Sequence, residues 1–114
     1  MAIPPDVRAE VEVALREFCL EHSSAATGDQ LRYDFEIDQS SAVLNRLKPS
    51  FLNQAEWTST PVARFRYSEA KRLWSLYWPE KGGKWRRLSN VSSSKDLRTL
   101  LKAILTDEAG VFWA

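Results

Sequence analysis

The chain has 114 residues, of which 44% are hydrophobic and 27% charged, with a formal net charge of +1. That length suits one globular domain and leaves no room for two, and it buries enough apolar surface to form a core without metal or disulfide staples. Cys19 and His22 are the only residues of their kinds, which excludes an internal disulfide framework and a thiolate or imidazole zinc site built from one copy.

The first element is a helix. Val7, Val11, Leu15, Phe18 and Cys19, with Ala14 beside them, recur at three-and-four spacing and form one apolar stripe from about Pro5 to His22. Pro4, Pro5 and Asp6 supply its start, because proline fits a first turn and an acid suits the positive end of the helix dipole. This opening is acidic and amphipathic rather than basic and then apolar, so it does not read as a secretory signal. No apolar run approaches the ~18 residues of a membrane span. The expectation is cytoplasmic residence with no membrane partner.

After a loop from Ser23 to Gly28 the period changes to two. Leu31, Tyr33, Phe35 and Ile37 alternate with Arg32, Asp34, Glu36 and Asp38, the pattern of a strand with one buried and one wet face. A turn at 39–41 leads to a second strand, Ala42 to about Leu47, which Pro49 is expected to interrupt. The stretch from Lys48 to Thr60 shows no clear period, although Phe51, Leu52 and Trp57 point to contact with the body of the protein.

Pro61 opens a third strand in which Ala63, Phe65 and Tyr67 oppose Val62, Arg64 and Arg66. A fourth runs from Leu73 to Trp78, and Pro79-Glu80-Lys81-Gly82-Gly83 marks a turn before a short fifth strand, Lys84 to Leu88. With Phe65, Tyr67, Trp74, Leu76, Trp78 and Trp85 directed at the core, the other face carries Arg64, Arg66, Ser75, Tyr77, Lys84 and Arg86. Leu88 falls on the wet side of that scheme, which predicts a bulge or strand end near Arg87. Ser93 or Ser94 is the expected cap of a last helix, with Asp96 as a capping-box acid and Leu97, Leu100, Leu101, Ile104 and Leu105 as its apolar stripe, ending near Asp107. The fold class is therefore α+β: an antiparallel meander of about five strands with an N-terminal and a C-terminal helix packed on one face.

Charge is divided along this plan. Residues 1–60 hold five Lys/Arg against ten Asp/Glu, residues 61–88 eight against two, and residues 89–114 three against three. The basic middle segment also holds three of the five tryptophans, with Tyr67, Tyr77 and Phe65.

The run PVARFRYSEAKRLWSLYWPEKGGKW, followed after a short spacer and a leucine-rich helix by DEAGVFWA, resembles a family of small bacterial proteins known as domain-of-unknown-function family 3024. Pro61-Val62-Ala63, Trp74 with Leu76-Tyr77-Trp78, Lys84-Trp85, and Asp107 with Gly110 and Phe112 carry the resemblance. Leu88, where the family pattern leads one to expect an aromatic residue, and the linker from Lys48 to Thr60 depart from it. The resemblance implies one free-standing α+β domain and brings no activity or catalytic residue with it.

The chemistry legible in the residues favours binding over catalysis. A hydrolytic triad or a Cys/His dyad needs groups in contact, whereas Cys19 lies on an apolar stripe and His22 at a helix end. Gly82-Gly83 sits in a turn with no helix after it, so no phosphate loop forms and no cofactor is implied. A metal-dependent nuclease is the remote enzymatic option, with Asp34, Glu36 and Asp38 on one strand face and Glu69 and Lys71 two residues apart. Two binding roles remain open. Arg64, Arg66, Lys84 and Arg86 around Tyr77, extended at the turns by Lys71, Arg72, Lys81 and Arg87, suit nucleic acid or another polyanion. Trp57, Phe51, Phe112 and Trp113 suit an interface with an acidic or other protein, including a second copy of the chain.

Overall fold

Residues 3–22, 32–49, 56–80, 83–88 and 91–107 are described by the computed structural model. They form α1 (Pro5–His22), β1 (Arg32–Ile37), β2 (Ser41–Pro49), β3 (Trp57–Ser68), β4 (Leu73–Pro79), β5 (Trp85–Arg87) and α2 (Leu97–Thr106). The strands make one antiparallel sheet in the order β1-β2-β3-β4-β5, an α+β fold with a helix at each end of the chain.

The alternation seen in the sequence sets which face is covered. Phe65 pairs with Ala42 and Leu76, Ala63 with Leu44, and Trp74 with Tyr67, so these side chains share one face of the sheet. Ala42, Leu44, Ala63, Phe65, Trp74 and Leu76 are all at most 1% exposed. Val11, Ala14, Leu15, Phe18 and Cys19 from α1, and Leu97, Leu100, Leu101 and Ile104 from α2, close over this layer and join it in one cluster. Each fully buried Leu, Ile or Phe contributes about 1.5–3 kcal/mol of transfer free energy, so this cluster dominates the favourable side of folding. Arg98 Nη1 donates to Glu17 Oε2 at 2.6 Å and ties the start of α2 to α1 at the surface.

Four local features differ from the sequence-based expectations, each for a physical reason. First, β3 begins at Trp57 rather than Pro61, and β2 runs through Pro49 to pair with it. Pro61 is tolerated inside β3 because β4 pairs with β3 only over Arg64–Ser68, which leaves the earlier half with β2 as its one neighbour. Second, the register shifts between Leu44 and Asn45, where Asn45 faces Pro61 and Val62 becomes the extra residue; Val62 is buried instead of wet.

Third, the phase of β5 is opposite to the expected one. Arg86 pairs with Trp78 and Arg87 with Tyr77, so Arg86 shares the core-side pleat while Trp85 and Arg87 share the outer one. The strand ends at Arg87, the second of the two expected alternatives, and Leu88 just beyond it falls on the inner side, where it is buried and its N–H donates to Leu76 O at 2.9 Å. Fourth, Asp96 itself caps α2: its Oδ1 accepts from Arg98 N at 3.0 Å, while Ser94 forms a two-way backbone bridge with Trp74. The helix ends at Asp107, in the left-handed conformation with its N–H bonded to Ala103 O.

Trp74 holds this arrangement together, since its ring lies against Tyr67 at 4.9 Å between centroids and its backbone carries the Ser94 bridge. Trp74→Ala is expected to lower unfolding free energy by about 3–5 kcal/mol in urea titration, against about 1 kcal/mol for loss of the α2 cap in Asp96→Ala.

Candidate polyanion-binding face

The pleat that buries Phe65, Trp74 and Leu76 turns the intervening residues of β3, β4 and β5 outward. On this outer face Tyr77 lies between two arginines, pairing with Arg64 on β3 and Arg87 on β5. The Arg66 guanidinium stands 5.8 Å from the Tyr77 ring centroid, close enough for a cation–π contact. Arg64 is half-buried: its Nη2 donates to Ser41 Oγ at 3.4 Å, and its Nε is buried with no hydrogen-bond partner. Arg66 and Arg87 are exposed.

Two serines complete the group. The Trp74–Ser94 bridge lays the chain before α2 alongside β4 and brings Ser93 to Ser75, with their hydroxyls 2.8 Å apart. Arg87 Nη2 donates to Ser93 Oγ at 2.9 Å. Trp85, half-buried, shares this face through its pairing with Pro79.

Charge is graded across the sheet. β3, β4 and β5 contain no Asp or Glu, β2 places Ser41, Val43, Asn45 and Leu47 on this side with Ser41 and Asn45 buried, and the acids Asp34 and Glu36 stand exposed on the β1 edge. The acidic helix α1 packs on the opposite face and does not cover the arginines.

Of the expected basic residues, the structure brings Arg64, Arg66 and Arg87 together around Tyr77. Lys71 and Arg72 are exposed in the turn joining β3 to β4, but Arg72, at φ 53°, is a correction: it lines a cavity with Asp6 and Val7 of α1 and Tyr67, on the helix side of the sheet. Arg86 is a second correction: it lies on the inner pleat and pairs with Glu80 at 3.3 Å. Lys84, exposed just ahead of β5, lies two residues before Arg86 and so on the same side, and neither joins the outer group. Lys81, Phe51, Phe112 and Trp113 lie outside the described residues. Trp57 lies half-buried at the far end of the outer face, with the Arg32 guanidinium 4.6 Å from its ring centroid. Sequence offers Ser93 or Ser94 as the helix cap; nothing local in the chain signals the place of Ser93 beside Ser75, because that depends on the bridge from Ser94 to Trp74.

Elsewhere the candidate chemistry is sparse. Among the described residues no three acidic, His or Cys side chains come close enough to hold a metal ion. An open groove of about 580 Å³ runs between α1 and residues 95–98 with Trp74 in its lining, but Asp96 there is engaged as the cap and Arg98 by Glu17. His22 sits with its ring 4.5 Å from Phe18 and its Nε2 3.8 Å from Glu21. Burial, reinforced by the Asp34 charge, pushes the Cys19 thiol up to about 11. Burial also raises Tyr33, with Arg46 acting in the opposite direction.

A sequential antiparallel sheet with two helices on one face and a basic-aromatic group on the other defines a small α+β domain with its candidate chemistry on the sheet. The chain matches the model of DUF3024, a domain of unknown function, over residues 3–114, and belongs to that family. No curated protein and no solved structure matches it. No helix among the described residues is long and apolar enough to cross a membrane.

The Cys19 shift has a measurable sign. Between pH 9 and about 11 the unfolded chain gives up its thiol proton while the folded chain keeps it, so ionisation draws the equilibrium toward unfolding and stability falls as pH rises. Cys19→Ala is expected to lose this component, giving a shallower decline of Tm above pH 9 than the unsubstituted protein shows. Parallel curves would contradict the assignment.

Proposed function

We propose that the protein binds nucleic acid or another polyanion through the outer face of β3–β5, as a non-enzymatic module of the cytoplasm. The observation that carries this reading is the convergence of Arg64, Arg66 and Arg87 on Tyr77, on three strands that contain no carboxylate. Guanidinium groups suit phosphate because their planar donors match its oxygens, and the acidic β1 edge confines the favourable potential to one side of the sheet. The single cysteine is free and buried, which is compatible with a reducing compartment.

A protein-interaction role is the second reading. It is favoured by Leu20 and Val13, 74% and 47% exposed and seven residues apart on α1, where a helix repeats the same side every two turns. A second copy of the chain is the partner to test first, by light scattering over a range of concentrations.

For the polyanion reading, the experiment is titration of a labelled oligonucleotide at several salt concentrations. Three or four phosphate contacts give a slope of log affinity against log salt of about −2 to −4. Arg66→Ala with Arg87→Ala is expected to reduce that slope by about 1 to 2 and to weaken binding at least tenfold, with the fold retained by circular dichroism. Salt-independent binding, or an unchanged slope in the double variant, would contradict the reading.

A further inference from the structure

The geometry points to single-stranded nucleic acid as the ligand, with bases stacked on Tyr77 and Trp85 and a phosphate held at Arg87, Ser93, Ser75 and Arg66. This rests on the polyanion reading above and narrows it.

Shape argues first. Five strands at about 4.8 Å spacing make a sheet roughly 19 Å across, wider than the ~12 Å major groove of a duplex, so its face cannot enter a groove to read bases. Tyr77 stands in the interior of that face, with Arg64 and Arg87 on either side. A ring so placed meets only a base that has left its own stack, as happens in single strands.

Spacing argues second. Trp85 pairs with Pro79 and Arg87 with Tyr77, which makes Trp85 the diagonal neighbour of Tyr77 on the same face. Such neighbours lie roughly 7–8 Å apart, a separation that lets two aromatic rings take two unstacked bases.

The polar group between them argues third. Of the two hydroxyl protons on Ser75 and Ser93, one joins the oxygens 2.8 Å apart and the other is left to donate outward. Arg87 already donates to Ser93 at 2.9 Å, which orients its guanidinium beside those hydroxyls, and Arg66 flanks them through its pairing with Ser75. Two cations and a hydroxyl donor beside a stacking ring match the alternation of phosphate and base along one strand. A generic polyanion such as polyphosphate would use the cations and leave the rings idle.

The test is fluorescence anisotropy of the full chain with four probes: a 12-nucleotide oligo(U), a 12-nucleotide oligo(dT), a 12-base-pair duplex DNA and inorganic polyphosphate. Both single strands are expected to bind at least tenfold more tightly than the duplex or polyphosphate. Comparison of the two single strands shows which sugar is preferred. Tyr77→Ala should weaken single-strand binding about tenfold with its salt slope unchanged, while Tyr77→Phe should restore it, a pattern that loss of folding would not produce. Arg87→Ala should instead reduce the slope by about 1. Equal or tighter binding of duplex or polyphosphate, with Tyr77→Ala silent, would overturn single-strand recognition and leave the polyanion reading standing. Absence of salt-sensitive binding to all four probes would overturn both.

Discussion

Successive side chains of a strand must point to opposite faces, and in this protein that constraint couples the core to the surface. Once Phe65, Trp74 and Leu76 are committed to the layer beneath the two helices, Arg64, Arg66, Ser75 and Tyr77 have nowhere to go but the other side. A one-residue slip of β3 against its neighbours would bury the Arg64 and Arg66 guanidinium groups and expose Ala63, Phe65 and Tyr67. The hydrophobic cost of that exchange runs to several kcal/mol before the desolvation of the charges is counted. The apolar packing thus holds the cationic group in register without any contact among the cations themselves.

The β4–β5 edge extends this logic to residues distant in sequence. Leu88 bonds to Leu76, Ser94 bridges Trp74, and next to that bridge Ser93 meets Ser75. The same bridge precedes the Asp96 cap, so the start of α2 and the serine pair on the outer face are set by one short stretch. Packing of α2 on the inner side therefore bears on the arrangement of donors on the outer side, through backbone hydrogen bonds rather than through the core.

Much of this was legible in the chain because its strongest signals are periodic. The β1 alternation, the α1 stripe and the sequence of strand-forming runs reappear as the helix, sheet and strand order of the structure. Where periodicity is local but pairing is not, reading by sequence lost its footing. Trp85 is aromatic and reads as inward on that ground, yet the inner position belongs to Leu88, whose misfit with that phase signals the true one. Arg86 and Arg87 are adjacent and chemically identical, so only the register with Trp78 and Tyr77 separates the residue paired with Glu80 from the one beside Tyr77. Pro61 reads as a strand opening because proline avoids ladders, and only the short reach of β4 along β3 explains its place inside one. Ser93 carries no local mark of its role at all.

On the proposed role, Arg64, Arg66, Tyr77 and Arg87 act together as one surface. The most direct test of that role is a residue-by-residue map of amide chemical shifts as an oligonucleotide is added to labelled protein. The perturbed residues are expected to form a contiguous patch centred on Tyr77, reaching Ser75, Ser93 and Trp85 and sparing Val13 and Leu20 on α1. Perturbations that cluster on α1, or that follow Lys84 and Arg86 on the opposite pleat while Tyr77 stays unmoved, would contradict the proposed role.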